Sequence, residues 1–199
     1  MTSTPVRLDR AALVVVDVQQ GFDDAVYWGP RDNMACETNV ARLLAHWRAA
    51  GWPVVLVQHD SVSPSSPLHP DAPGHAFKDG VDGPHDLLVR KTVNSSFHGD
   101  PDLHAWLQES GLTQVVVCGI TTNHCCETTA RVAGNLGYET YVVLDATHTF
   151  DRTAPDGTVV PAATLGWMTG VNLHGEFATV VSTAELVGEG PDGADHPGR

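Results

Sequence analysis

Short apolar runs rich in β-branched residues alternate along the chain with longer segments of helical spacing. The run QVVVC at 114–118 resembles a strand buried on both faces in a parallel sheet. The alternation predicts βαβ units. We therefore predict a three-layer α/β/α, Rossmann-like fold around a six-stranded, mainly parallel sheet, with strands at 12–17, 53–59, 87–90, 114–118, 139–144 and 178–181.

Helices are predicted at 35–50, 102–110, 123–136 and 161–174. A chain of 199 residues with 42% apolar content can bury one sizeable core, so we expect a single domain over 1–187. The polar, Gly- and Pro-rich end at 188–199 is predicted to be a flexible tail. The segment 61–84 lacks periodicity and is long for a connector, which predicts a loop with a binding or covering role.

Charge and cysteine usage restrict the partners of this chain. Its 24 acidic and 11 basic side chains leave a formal charge of -13, which argues against nucleic acid and favours a neutral or cationic small molecule. No apolar run is long enough to span a membrane, and no signal peptide is visible. The four cysteines lack framework spacing, so we expect a reduced, cytoplasmic protein.

Three chemically matched side chains follow three predicted strands. Asp17 ends the first strand, Lys91 follows the third, and Cys125 lies beyond the fourth where a helix begins. Ligands of doubly wound sheets bind at these carboxyl ends. Alone, each residue has an ordinary interpretation as a helix cap, a surface charge or a small core residue. Together they predict a nucleophile at Cys125 with a lowered thiol pKa, a base at Asp17, and Lys91 to orient it.

Other residues near the same edge are candidates for binding, although ordinary packing or a turn explains each equally well. We predict substrate contacts from Gln19, Phe22, Trp28, Asn94, Phe97, His124 and His148. No cofactor and no metal site are predicted. A metal site would have to use His59, Asp60, His69 or His75, which lack the fixed spacing of a helix or strand motif.

Several segments resemble the isochorismatase-like cysteine hydrolases, which include nicotinamidases and ureidoacrylate amidohydrolases. They are LVVVDVQ at 13–19, KTVNSSF at 91–97, GITTNHC at 119–125, TAR at 129–131, LDAT at 144–147 and NLHGEFA at 172–178. The resemblance implies an Asp17, Lys91 and Cys125 triad, a cis peptide at Ile120-Thr121, and an oxyanion hole from the amides of Thr121 and Cys125. It also implies a homodimer or larger homo-oligomer.

The activity implied is hydrolysis of a carbon-nitrogen bond through a thioester, because isochorismatases that cleave a vinyl ether generally lack the cysteine. The bond would belong to a small amide, lactam or ureido compound. One branch of the family opens the lactam of cationic streptothricin-type antibiotics, which would suit the charge of -13. The alternatives are a nicotinamidase or ureidoacrylate type of amidohydrolase, and a non-enzymatic redox or metal sensor that uses Cys125 and Cys126.

Overall fold

The computed structural model describes residues 6–188. The predicted flexible tail at 188–199 therefore lies outside the described residues, apart from its first residue. The elements follow in the order β1 (Ala12–Val16), α1 (Ala25–Trp28), α2 (Cys36–Ala50), β2 (Val54–His59), β3 (Leu87–Lys91), α3 (Leu103–Glu109), β4 (Gln114–Ile120), α4 (Glu127–Asn135), β5 (Glu139–His148), β6 (Arg152–Thr153), β7 (Val159–Val160), α5 (Ala162–Leu173), β8 (Thr179–Val181) and α6 (Thr183–Val187). No helix within 6–188 is both long and apolar enough to cross a membrane.

Six strands form one sheet in the order β3-β2-β1-β4-β5-β8, and every neighbouring pair is parallel. The strand order reverses between β1 and β4, which creates the crevice where doubly wound proteins bind ligands. A separate antiparallel hairpin is formed by β6 and β7. The predicted α/β fold with a six-stranded parallel sheet is therefore confirmed.

Alternate side chains of β1 pack into two different cores. Leu13 and Val15 pack with residues of α2 and α6, including Trp47, while Val14 and Val16 pack with residues of α3, α4 and α5. Because side chains of a strand alternate between its faces, a run that is apolar throughout requires cover on both sides. This burial produces the three layers and places the sheet in the middle.

Three strands extend past their predicted ends: β3 by one residue to Lys91, and β4 and β5 by two residues or more toward the crevice. Strand β4 continues to Ile120, and β5 continues to His148 after its register shifts against β4 between Val117 and Gly119. Backbone carbonyl groups in the bulged part of β5 accept hydrogen bonds from side chains. Side-chain amides of Asn33 and Asn39 donate to the carbonyl of Asp145 at 2.8 and 2.7 Å.

Gly119 marks the closest approach of β1 and β4. Its φ is +119°, and a Cβ placed there would lie 2.0 Å from the carbonyl oxygen of Val16. No residue with a side chain fits this position without moving β1. The glycine thus allows the ends of both strands, with Asp17 on one and Ile120 on the other, to lie side by side.

The segment 61–84 is anchored rather than detached from the domain. The Lys78 amine contacts carboxylate oxygens of Asp23 and Glu37 at 2.6 and 2.7 Å, and its backbone amide donates to Val18. Leu68 and Val81 are buried in the core beside α2. The segment thus packs over residues 18–23. The wall of the Thr121 cavity, described with the active site, contains no residue of this segment, and its predicted binding or covering role stays a prediction.

Candidate active site

The crevice between β1 and β4 brings together the three strand-end residues. Asp17 follows β1 with φ at +50° and is completely buried. Lys91 is the last residue of β3, two strands away, and its extended side chain passes the end of β2 to reach Asp17. Cys125 lies beyond β4, on the other side of the crevice. The long side chain of Lys91 and the shorter side chains of Asp17 and Cys125 thus meet at the ends of three strands.

The Lys91 ammonium lies at the centre of this group. Its Nζ is 2.5 Å from Oδ2 of Asp17 and 3.4 Å from Sγ of Cys125. Burial opposes a charge on Lys91, but the charge of Asp17 and the hydrogen bonds to Asp17 and Cys125 outweigh burial and raise the pKa of the ammonium. Lys91 is therefore a cation at neutral pH. The second Asp17 oxygen, Oδ1, is buried and has no hydrogen-bond partner among the described residues.

The Cys125 thiol is held in its neutral form. Burial, followed by the negative charge of Asp17, raises its pKa to about 12, and Lys91 acts in the opposite direction. The lowered pKa expected from a helix start next to Lys91 is therefore wrong for the resting site. The physical reason is that the thiol is only 8% exposed and shares its cation with a carboxylate.

A short π-helical turn presents Cys125 to the crevice. It runs over Thr122–Cys126, directly between β4 and α4, and the peptide Ile120-Thr121 before it is cis. Such π turns are uncommon and occur frequently at functional sites. The Thr122 hydroxyl donates to Oγ1 of Thr147 at 2.9 Å, which fastens the turn to the extension of β5.

His59, the last residue of β2, is a fourth member of the group. Its Nδ1 lies 3.3 Å from Nζ of Lys91, and burial, then the charge of Lys91, lowers the pKa of the imidazole. Among the described residues, Asp17, His59 and Cys125 place potential metal-ligating atoms within 4.8 Å of one another. The Lys91 ammonium contacts all three residues, so a cationic group already lies among these atoms.

The other predicted metal-ligating residues do not join this group. His75 pairs with Asp60, whose Oδ1 is 2.7 Å from its Nε2. His69 accepts a hydrogen bond from the backbone amide of Asp71 at 3.2 Å. Of the four residues that a metal site would have used, His75 and Asp60 thus pair with each other, while His59 and His69 contact other residues within 6–188.

A cavity of about 520 Å³ lies beside the π-helical turn. We call it the Thr121 cavity, because Thr121 and His124 form the part of its wall that adjoins Cys125. Its other lining residues are Tyr27, Trp28, Thr149, Phe150, Asp151, Arg152 and Thr153. The rings of Trp28 and Phe150 stack with centroids 5.4 Å apart, so one wall is aromatic.

Three of the seven predicted substrate contacts lie where a substrate could reach them. Trp28 and His124 line the Thr121 cavity. Asn94 is exposed, and its Oδ1 is 3.8 Å from the Cys125 thiol, which donates to it. These positions are compatible with the predicted contacts, which stay predictions.

The other four predicted contacts have structural roles instead. Gln19 is fully buried; its side-chain amide donates to the carbonyls of His59 and His75, and its Oε1 accepts from the amide of His59. Phe22 is 4% exposed and stacks on Phe150 behind the aromatic wall. Phe97 stacks on Tyr138 in the opposite layer. Polar or aromatic character near a strand end does not reveal such packing, and the predicted substrate contacts of these residues stay predictions.

His148 is the fourth of these residues and is fully buried with both ring nitrogens unpartnered among the described residues. Burial, then the charge of Arg31, lowers its pKa to about 3, and Lys78 adds to this while Glu37, 3.7 Å away, opposes it. The imidazole is therefore neutral and packs edge-on against Phe150. It supports the wall of the cavity from behind.

This burial predicts an acid-sensitive fold. A pKa depressed below the unfolded value of 6.5 gives stability above that pH, which is lost as the pH falls toward 3. The loss is about 1.4 kcal/mol per pH unit. We expect His148→Leu to lose about 2 to 3 kcal/mol less unfolding free energy than the parent between pH 7 and 4.5. Urea titrations at both pH values measure this, with the exposed His98→Leu as the control; equal losses in parent and H148L would contradict it.

Residues 149–153 line the cavity and were not among the predicted site residues. The signal was available, because these residues come directly after a strand that ends at the productive edge of the sheet. They were overlooked because β5 is longer than its apolar run suggests. Its bulged extension contains Asp145, Thr147 and His148, which interrupt the apolar pattern.

Cys125, Lys91 and Asp17 are in contact at the point where the strand order of the doubly wound sheet reverses. This arrangement is typical of an α/β enzyme with a thiol in its active site. The isochorismatase domain model matches residues 11–172. The isochorismatase family protein YrdC of Bacillus subtilis is 41% identical over 182 residues, which are 91% of this chain and 96% of that protein. The chain belongs to the isochorismatase family of hydrolases.

Other similarities agree with this assignment. A solved isochorismatase-family structure from Chromobacterium violaceum superimposes with a TM-score of 0.88 at 37% identity, covering 94% of this chain and 97% of that one. Streptothricin hydrolase of Streptomyces noursei is 37% identical over 76% of this chain and 55% of its own length. Nicotinamidase 3 of Arabidopsis thaliana is 31% identical over 77% of this chain and 80% of its own length. The predicted family is therefore confirmed.

Proposed function

We propose that this protein is a cysteine hydrolase that cleaves a carbon-nitrogen bond of a small molecule, with Cys125 as the nucleophile. The observation that carries the proposal is the position of the Lys91 ammonium, which contacts Asp17 and Cys125 simultaneously in a buried site. A nucleophile, a base and a group that orients the base are the parts that covalent catalysis requires. The relative named as a nicotinamidase supports an amide as the substrate.

The proposed reaction has two halves. Asp17 takes the proton of the Cys125 thiol, and the sulfur attacks the amide carbonyl to form a tetrahedral adduct. The backbone amides of Thr121 and Cys125 stabilise its oxyanion. The adduct collapses by breaking the carbon-nitrogen bond, and Asp17 returns the proton to the leaving nitrogen. Water, deprotonated by Asp17, then cleaves the thioester and releases a carboxylic acid and the free thiol.

The charges of the site favour this order of events. While Asp17 is anionic, it shares Lys91 with the sulfur and raises the pKa of the thiol. Once Asp17 accepts the proton its charge is gone, and the whole ammonium charge is available to the new thiolate 3.4 Å away. Transfer of the proton to Asp17 therefore also activates the sulfur. Before this transfer, the thiol of the resting protein stays protonated.

This coupling leads to a test with opposite effects on two readouts. In Asp17→Asn the negative charge is absent, so the pKa of Cys125 falls and iodoacetamide should label it about tenfold or more faster at pH 7. Turnover should be lost, because asparagine cannot accept the proton. Asparagine also tolerates the left-handed backbone of this position. Mass spectrometry of the labelled protein and ammonia release from amides give the two rates.

Asp60→Asn is the matched control, because Asp60 is a nearby acid whose carboxylate pairs with His75 and not with Lys91. It should leave both rates close to those of the parent. Slower labelling in Asp17→Asn, or retained turnover, would contradict Asp17 as the base that controls this thiol.

A second candidate substrate is the lactam of a cationic streptothricin-type antibiotic. Similarity to streptothricin hydrolase and the formal charge of -13, which attracts cations, favour it. A decrease in kcat/KM with rising salt would support a cationic substrate, and a rate independent of salt would oppose it.

The non-enzymatic alternative depends on a reactive pair of Cys125 and Cys126. Cys126 is fully buried among the side chains of α3, α4 and the sheet, and burial raises the pKa of its thiol well above its usual value. A thiol in this environment is a packing group. Intact mass spectrometry after mild oxidation tests the alternative, and a reversible bond between the two sulfurs would favour the sensor.

A further inference from the structure

The Lys91 ammonium has one more partner than the proposed reaction uses. An ammonium carries three N–H donors and no acceptor. Its Nζ lies 2.5 Å from Oδ2 of Asp17, 3.4 Å from Sγ of Cys125 and 3.3 Å from Nδ1 of His59. Three donors thus meet three acceptors around a side chain that is completely buried. The proposed reaction gives a role to Asp17 and Cys125, but it leaves His59 without one.

The pairing of two strands places His59 beside Lys91. Strands β2 and β3 are parallel, and His59 is opposite Lys91 in their register. Opposite residues of neighbouring strands have their side chains on the same face, about 5 Å apart. The backbone amide of Asp60, the next residue, also donates to the carbonyl of Lys91 at 2.8 Å. The imidazole and the ammonium are therefore neighbours because the sheet itself brings them together.

The backbone of His59 is also fixed relative to Asp17. The Gln19 side chain accepts a hydrogen bond from the backbone amide of His59 at 2.8 Å and donates one to its carbonyl at 3.2 Å. Gln19 is fully buried and follows Asp17 by two residues. One side chain thus holds the end of β2 against the residues that follow β1. The imidazole therefore projects from a backbone whose distance to Asp17 is restricted.

The contact with Lys91 determines which nitrogen of the imidazole carries the proton. A neutral imidazole has one donor nitrogen and one acceptor nitrogen, whereas an ammonium can only donate. Nδ1 of His59 must therefore be the acceptor, so that the proton is on Nε2. Burial, then the charge of Lys91, lowers the pKa of His59, which agrees with a neutral ring.

We propose that His59 is a positioning residue for Lys91: its Nδ1 accepts one N–H of the ammonium, so that the other two stay directed at Asp17 and Cys125. This inference rests on the proposed function, in which Lys91 must contact the base and the sulfur simultaneously. Hydrogen bonds to a charged group are the stronger ones, and a buried N–H without an acceptor is costly. With its three donors occupied, Lys91 has none for the substrate, and the oxyanion depends on the backbone amides.

Two other roles of His59 would use different atoms. A hydrogen bond to the substrate would use Nε2, because Lys91 occupies Nδ1. A role in packing alone would use neither nitrogen. Substitutions that imitate one nitrogen at a time separate these roles. The side-chain oxygen of asparagine lies near the position of Nδ1, the amide of glutamine reaches the position of Nε2, and leucine has no polar atom.

The first experiment measures ammonia release from nicotinamide, benzamide and phenylurea by the parent, His59→Asn, His59→Gln and His59→Leu. We expect H59L and H59Q to lower kcat about 10- to 100-fold with KM within about threefold of the parent. The reason is that Lys91, and not the substrate, loses a contact. H59N should keep kcat within about fivefold of the parent, because its oxygen can accept the same N–H.

His104→Leu is the matched control for these variants. His104 is half-buried like His59, and its Nδ1 also has a partner, the Tyr138 hydroxyl at 2.7 Å. It lines a different cavity, with residues 111–113 that precede β4 at the end opposite to the crevice. This variant should keep the kcat and KM of the parent.

A second experiment needs no turnover. In the parent, His59→Leu should increase the unfolding equilibrium constant about tenfold or more, because a buried ammonium N–H loses its acceptor. In the background Asp17→Asn/Lys91→Met no ammonium is present, so the same substitution should change this constant by less than about twofold. Urea titrations measure both effects, and His104→Leu should have the same effect in both backgrounds.

The outcomes distinguish this inference from the proposed function. Recovery of kcat in H59Q but not in H59N, a changed KM with constant kcat, or equal losses of kcat in all three variants overturns the positioning role. An equal effect of H59L on unfolding in both backgrounds also overturns it. Hydrolysis that H59L leaves unchanged overturns the inference and leaves the cysteine hydrolase. Coupling between His59 and Lys91 in the unfolding experiment, without hydrolysis of any compound by the parent, supports the contact and counts against the proposed function.

Discussion

Replacing Cys125 by alanine is expected to reduce hydrolysis of every amide substrate by about 10,000-fold or more. The sulfur contacts the buried ammonium in the crevice, and alanine leaves no atom to form the thioester. The fold should survive, because the change removes one atom from a side chain of small volume. Ammonia release under single-turnover conditions and a thermal melt measure the two effects.

Cys126→Ala is the matched control for this variant. Cys126 has the same chemistry one residue away, but it is packed in the core and makes no contact with Lys91. It should lose about 1 kcal/mol of unfolding free energy through lost packing and keep its activity. Activity retained in Cys125→Ala, or lost in Cys126→Ala with an intact fold, would remove Cys125 from the role of nucleophile.

Lys91→Met is expected to abolish turnover and to lower the free energy of unfolding by about 3 to 5 kcal/mol. Methionine fills much of the same volume but leaves the Asp17 carboxylate buried without a cation. Both side chains of the pair are 0% exposed, so water cannot replace the lost partner. Urea unfolding at pH 7, together with amide turnover, gives the two quantities.

The double variant Asp17→Asn/Lys91→Met separates stability from catalysis. It removes both charges, so most of the lost stability should return, because two neutral groups need no desolvated ion pair. Activity should stay absent, since base and cation are both missing. A double variant as unstable as Lys91→Met alone would mean that packing of the lysine side chain, and not the uncompensated charge, dominates.

The fold and the central contact follow from rules that act locally in the sequence. Buried parallel strands show as continuous apolar runs, and the carboxyl ends of such strands meet at one edge. These two rules suffice to bring Asp17, Lys91 and Cys125 together. They are separated by 74 and 34 residues, so no local motif alone could have joined Lys91 to the other two.

The structure departs from the sequence expectations where an outcome depends on three-dimensional burial. The direction of the Cys125 pKa shift depends on how far water is excluded and on which of two neighbours has the stronger effect, and neither is visible in the sequence. Gln19 and His148 are polar residues near strand ends, as functional residues often are, yet one ties two strand ends together and the other packs behind a wall. Exposure, and not residue type, distinguishes them from His124.

The bulge in β5 has a consequence for how substrate preference can diverge among relatives. Asn33 and Asn39 hold the carbonyl of Asp145, so the bulged part of β5 is fixed before the chain reaches Arg152. The β6–β7 hairpin pairs only with itself. Substitutions, insertions or deletions there can accumulate over generations without displacing the strands that hold Asp17 and Cys125. Selection can therefore change the part of the cavity wall that the hairpin forms while the strands that hold Asp17 and Cys125 are inherited unchanged.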